Sequence, residues 1–203
     1  GANTINGGSH LSRFVNRRMK EYFTPERVLW HLDACEQAGI NTWQSGTVNL
    51  DLYRMHRDRG GQMHYILLGG EVEDTQGQLR EAKTAGVLAV AHHGEVTDTL
   101  YKAGKIAAVR DYCRRVRDMG FLVGVSTHMP DVLRHISDEG WDVDFFMACV
   151  YERHRTREEL KALMGYVPIP VSEVYLEEDP PRMFSAIRQT AKPCLAFKIL
   201  AAG

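Results

Sequence analysis

At Gly39, Gly60, Gly86, Gly120 and Gly140 a helical pattern ends in glycine, and a short apolar run begins within a few residues. Glycine just past a helix supplies a left-handed C-terminal position, so each of these sites reads as a helix stop. The runs that follow, such as MHYILL from Met63 and VLAVA from Val87, are apolar at nearly every position rather than at alternate ones. A strand with two apolar faces must be covered on both, which describes a parallel sheet packed under helices. Repeated strand–helix units of this kind restrict the chain to a small set of α/β architectures.

The pattern predicts strands over Ala2–Asn6, Ile40–Ser45, Met63–Leu68, Val87–Glu95, Phe121–Ser126, Val143–Val150 and Cys194–Leu200. A helix opens at Thr24-Pro25-Glu26, with Thr24 as N-cap and Pro25 at the first helical position. Further helices are predicted over Leu50–Arg59, Thr75–Ala85, Lys105–Met119 and from Pro130 to near Gly140. Thr156 and Glu159 have the spacing of a capping box for a helix to about Met164, and Asp179-Pro180-Pro181 starts another. Gly7-Gly8-Ser9-His10 turns into a polar, basic loop ahead of the Thr24 helix start, and Gly165 to Asp179 reads as a connection able to serve as a lid over a site.

About seven βα units fit a (β/α)8 TIM barrel better than a doubly wound sheet, because no G-x-G-x-x-G follows the first strand. The expectation is a single domain over residues 1–203, C-terminally incomplete, because an eighth unit is not visible. A net charge of -1 gives no reason to expect a nucleic-acid or membrane partner, and the basic clusters Arg13–Arg18 and Arg153–Arg157 read as solvated surface. No apolar run approaches the roughly 20 residues of a membrane span. The four cysteines are widely spaced and read as free thiols, which points to the cytoplasm. The expected partner is a small-molecule substrate, and the sequence does not specify an oligomeric state.

Active sites of such barrels lie at the C-terminal ends of the strands. The Val87–Glu95 run ends in His92, His93, Gly94 and Glu95. Strand alternation places His93 in phase with Ala89 and Ala91, and Ser126 and His128 with Gly124. Lys198 falls in phase with Cys194 and Ala196. These small-residue sets are expected to face the barrel interior, so His93, Ser126, His128 and Lys198 would converge there. His92 falls in the opposite phase and is expected to be structural. Lys198 requires either an ion-pair partner, with Glu152 and Asp144 as candidates, or a role as an electrophilic or Schiff-base amine. Glu95 and Asp98 could orient the histidines, and Glu95, His93 and His128 have donor types suited to a divalent metal. Asn3 and Gln44 could supply neutral hydrogen bonds to a substrate. Cys149 reads as buried packing rather than a nucleophile.

Around His93-Gly94, and along GFLVGVSTH from Gly120 to His128, the chain resembles the aldo/keto reductase superfamily. AGINT from Ala38 and KPCLAFK from Lys192 resemble that family's second and seventh strands. The resemblance implies a (β/α)8 barrel, a carbonyl-bearing substrate, NADP(H) as cofactor, His93 as a surviving catalytic histidine and Ser126 as a contact to the nicotinamide amide. The sequence departs from the family where its catalytic Asp, Tyr and Lys should stand: TWQSGTVN from Thr42 holds Gln44 and Asn49, and Met63 to Gly70 holds no lysine. The expectation is therefore an enzyme of aldo/keto reductase-like architecture on a small polar or sugar-like carbonyl compound, with His93 and Lys198 catalytic. Three alternatives stay open: an NADP(H)-dependent oxidoreductase with Tyr151 as a relocated proton donor, a metal-dependent lyase, isomerase or hydrolase, and a non-catalytic ligand-binding barrel.

Overall fold

A computed structural model describes residues 2–70, 72–167 and 173–200. They group into two compact units, Gly1–Ala91 with Val116–Leu122, and His92–Arg115 with Val123–Gly203. Among the described residues no helix is long and apolar enough to cross a membrane.

The first unit opens differently from the sequence expectation. Ala2–Asn6 is not a strand but a series of turns, closed by Asn6 N–H to Ala2 C=O and Gly8 N–H to Asn3 C=O. Two asparagines and a threonine in five residues favour local turn bonds over a sheet ladder. The stretch expected to be a basic loop contains helix α1, Arg13–Tyr22, capped by the Ser12 hydroxyl on Val15 N–H. It buries no side chain, so no apolar stripe marked it, and Arg17 and Arg18 pair with Glu21 along its exposed face. Helix α2, Pro25–Gln37, starts at Thr24 and Pro25 as predicted and buries Val28, Leu29 and Leu32.

Strand β1, Thr42–Ser45, helix α3, Leu50–Asp58, strand β2, His64–Gly69, helix α4, Thr75–Thr84, and strand β3, Ala89–His92, follow in order. β1 runs parallel to β2 with Trp43 opposite Tyr65, and β3 lies on the far side of β2. Trp43, Tyr53 and Tyr65 pack ring to ring at 4.8–5.3 Å to form the centre of this unit.

In the second unit, helix α5, Gly94–Lys102, stands where the sequence reading had no element. The expected strand stops at His92, and Gly94 begins a helix immediately. Helix α6, Ala107–Asp118, strand β4, Leu122–Thr127, helix α7, Pro130–Asp138, and strand β5, Phe145–Cys149, come next. Helix α8, Arg157–Met164, carries the predicted capping box between Thr156 and Glu159. Helix α9, Asp179–Gln189, leads to strand β6, Cys194–Phe197. β4, β5 and β6 are adjacent and parallel, with Ser126 opposite Met147 and Cys149 opposite Phe197. All of β5 is buried, with α9 packed against it and α7 packed against α9.

The described residues thus hold six strands where the sequence predicted seven. The helix-stop reading of the glycines is confirmed: Gly39, Gly60, Gly86, Gly120 and Gly140 all have φ between 60° and 94°. Residues 168–172 of the expected lid lie outside the described residues.

Candidate active site

The second unit gathers an ionisable cluster where β4 and β5 give way to their connections. Its centre is Asp98, fully buried on α5. Asp98 Oδ2 accepts the backbone N–H of His128 at 3.0 Å and the ring Nδ1–H at 2.8 Å, while Oδ1 accepts the Thr127 hydroxyl at 2.5 Å. A carboxylate can only accept, so the His128 proton sits on Nδ1 and Nε2 is the basic nitrogen. Arg153 Nη1 lies 3.3 Å from that Nε2. A guanidinium can only donate, which fixes the same tautomer from the other side.

His128 is further confined by its neighbours. A Cβ on Gly94 would lie 3.0 Å from His128 Cε1 and 3.0 Å from Ser126 Oγ, so any side chain at the first residue of α5 would press both groups aside by a few tenths of an ångström. The Phe197 ring packs edge-on against it at 5.6 Å. Lys198 was expected to face the interior from within the strand. The strand instead ends at Phe197, and Lys198 takes a left-handed backbone with φ 55°, so strand alternation no longer governs where its amine points.

Lys198 is an ion-paired residue just past the strand, not at its centre. Its Nζ lies 3.0 Å from Glu173 Oε2, so its partner is neither Glu152 nor Asp144. Glu173 Oε2 also accepts the Tyr175 hydroxyl, and its Oε1 is paired with Arg153 Nη2. Arg153 in turn bonds Glu95 Oε1 at 3.0 Å. The side chains of Glu173, Lys198 and Arg153 are only 7%, 10% and 17% exposed. Burial alone would raise the Glu173 carboxyl, but hydrogen bonds from Tyr175 and Lys198 and the charges of Arg153 and Lys198 outweigh it and hold the group below its ordinary value. Burial, reinforced by the neighbouring carboxylate, pushes the Tyr175 hydroxyl well above its ordinary value.

The segment carrying Arg153 is pinned from outside the cluster. Arg155 forms a two-pronged pair with the buried Asp179 and bonds Glu152, which also holds Arg182. The basic run read as solvated surface is therefore split between two networks, because Arg153 meets Glu173 of the following connection and Arg155 meets Asp179 at the start of α9.

The structure brings together Glu95, His128 and Lys198 of the expected set, through Arg153 and Glu173. Ser126 is buried behind Gly94. His93 is half-buried and occupies the N-cap position of α5. His92 is structural: its Nδ1 bonds Thr97 Oγ1 at 2.8 Å and its ring packs on Tyr112. Tyr151 is half-buried with its ring against Tyr175 at 5.1 Å. Asn3 and Gln44 belong to the first unit, Asn3 bonding His10 in an exposed turn and Gln44 half-buried on β1. Burial pushes the Cys149 thiol up to about 11, which leaves it protonated at neutral pH. The His93, Glu95 and His128 donors do not make a metal cage, since both ring nitrogens of His128 are engaged and a cation covers Nε2. Among the described residues no group of three His, Cys, Asp or Glu side chains is arranged to hold an ion.

No family model matches the sequence, and no curated protein matches it. Solved structures do. One described as "QR15, an Aldolase" superposes with a TM-score of 0.53 at 12% identity, over 86% of this chain and 86% of its own. The chain has an α/β, (β/α) barrel-like fold. An N-acetylmannosamine-6-phosphate 2-epimerase from Clostridium perfringens matches at a TM-score of 0.46 and 12% identity, over 85% of this chain and 79% of its own. The barrel-like order implied by the aldo/keto reductase resemblance is therefore shared, but these comparisons do not single out the reductases.

Proposed function

We propose that the protein is an acid–base enzyme that moves a proton at carbon beside the carbonyl of a small, polar, sugar-like substrate, as aldol cleavage and isomerisation both require. The observation that carries this reading is the Asp98–His128 pair. A buried carboxylate fixes the tautomer, and Nε2 is presented to a cationic, partly covered cluster. An oriented imidazole of this kind is suited to general acid–base work.

Each neighbour has a role in such a reaction. The substrate carbonyl would take the place of His128 Nε2 as acceptor for Arg153. Nε2 then removes the adjacent proton, and the negative charge that develops on oxygen is met by Arg153 or Lys198, already held by Glu95 and Glu173 in a partly buried site. Glu95 holds Arg153 at 3.0 Å and keeps the guanidinium beside the ring. His93, next in sequence to the glycine that abuts the His128 ring, is assigned as the acid that returns a proton. The description of one fold neighbour as an aldolase agrees with this reading.

The test is proton exchange in deuterium oxide. Wild-type protein is incubated with pyruvate, 2-oxobutanoate, dihydroxyacetone and glyceraldehyde, and loss of the proton signal beside the carbonyl is followed by NMR. Exchange of at least one compound should be catalysed, and His128→Asn should slow it by roughly 10²-fold or more, the usual contribution of a positioned base. Exchange that is undiminished in His128→Asn contradicts the proposal.

A further inference from the structure

We infer that Arg153, Lys198 and Tyr175 form a carboxylate-binding subsite, filled in the free protein by the chain's own Glu173, and that the substrate therefore carries a carboxylate beside its carbonyl. The inference rests on the acid–base reading only for its catalytic meaning. The binding claim stands on the geometry of the cradle.

The cradle is built for two oxygens. One oxygen of Glu173 faces the Arg153 guanidinium, and the other faces the Lys198 amine at 3.0 Å together with the Tyr175 hydroxyl. A charged donor on each oxygen is a common way to recognise a planar carboxylate. The donors come from separate parts of the chain, the segment after β5, the end of β6 and the connection before α9, so local sequence does not force them together. Lys198 adopts a left-handed backbone to reach the position. Non-glycine residues hold that conformation where the surroundings over-determine it, often at ligand sites.

Position links the cradle to the chemistry. Arg153 contacts Glu173 through one terminal nitrogen and approaches His128 Nε2 through the other. A carboxylate seated in the cradle thus lies one guanidinium away from the base, where an adjoining carbonyl would accept from Arg153 Nη1 and the proton beside it would face Nε2. Glu173 itself lies outside any helix or strand, on residues 173–176, so it can withdraw without melting an element. Exchanging one carboxylate for another leaves both cations paired, whereas a neutral ligand would strand them in a partly buried site. The internal carboxylate lowers apparent affinity in proportion to the fraction of time it is in place.

Calorimetric titration of pyruvate, with acetone as the neutral control, tests this on wild type, Glu173→Gln and Glu173→Gln/Lys198→Met. Glu173→Gln should bind pyruvate at least about tenfold tighter than wild type, the gain expected when a plug in place about nine-tenths of the time loses its charge. Acetone should show no gain, and the double variant should lose pyruvate binding. Glu173→Asp keeps the charge but draws it back by one methylene. It should also gain affinity and serves if the glutamine variant does not fold. Pyruvate affinity unchanged or weakened in both variants overturns the subsite, as does an equal gain for acetone. Failure here alongside His128-dependent proton exchange removes the subsite and leaves the acid–base reading. A gain here without such exchange leaves a carboxylate-binding site and removes the acid–base reading.

Discussion

Asp98 holds His128 twice with one oxygen: Oδ2 accepts both the backbone N–H and the ring Nδ1–H of the same residue. The backbone bond fixes where the histidine stands, and the ring bond fixes its rotation and its tautomer. Most of the chemistry assigned to the site depends on this double attachment.

Asp98→Asn should therefore separate activity from fold. The amide keeps an oxygen for part of the network, but it cannot force the proton onto Nδ1. Exchange activity should fall by about 10² to 10⁴-fold, the range seen when a tautomer-fixing carboxylate is lost. Asp98→Ala leaves three buried donors without their acceptor and should cost about 2–5 kcal/mol of stability. Urea denaturation of both variants, beside the exchange assay, measures the two effects.

Gly94→Ala tests how tightly the ring is boxed in. Alanine in a helix normally stabilises by up to about 1 kcal/mol over glycine. Here its Cβ would press on His128 Cε1 and Ser126 Oγ at 3.0 Å, and any shift of the ring strains its bond to Asp98. Activity should drop by more than about tenfold, with thermal stability unchanged or lowered rather than raised. A melting curve and the exchange rate of Gly94→Ala check both halves.

Glu173 makes stability depend on acidity. Its carboxyl is held below its ordinary value in the folded protein, so the unfolded chain takes up the proton first as pH falls. The stabilisation it confers is fully present above its unfolded value of about 4.3 and is lost as pH drops through the lower folded value. Wild type should lose melting temperature more steeply than Glu173→Gln below about pH 4.3. The two profiles should run parallel between pH 6 and 8. Scanning calorimetry across that range gives the comparison.

Cys149 is fully buried and its thiol is pushed up to about 11, so it should not react with iodoacetamide at pH 7.5 in the folded protein. Cys35 and Cys194, both partly exposed, should label first. Cys149→Ser should retain proton exchange within about threefold, because packing is its role rather than attack on substrate. Mass spectrometry of labelled peptides and the exchange assay test this.

How much the sequence disclosed follows from how local each signal is. The capping box at Thr156 and Glu159, the start at Thr24-Pro25 and the helix-stop glycines are set by a few adjacent residues, and all stand in the structure as read. α1 was invisible because it buries nothing, and α5 because Gly94 and the polar first turn looked like the end of a strand. In the cluster, His128, Glu95 and Lys198 were legible from strand ends, and Asp98 as a group that could orient a histidine. Arg153 and Glu173 were not. Their importance comes from meeting each other and Lys198 across connections far apart in sequence, and no spacing encodes that. Lys198 was found through faulty phase reasoning, since the strand ends one residue before it.

The most direct measurement is the ¹⁵N NMR spectrum of the His128 ring at neutral pH, compared between wild type and Asp98→Asn. Wild type should show a protonated Nδ1 and an unprotonated Nε2 that shifts when pyruvate is added, and Asp98→Asn should populate the other tautomer. A wild-type ring protonated on Nε2, or one whose tautomer ignores Asp98, would contradict the assignment of Nε2 as the base.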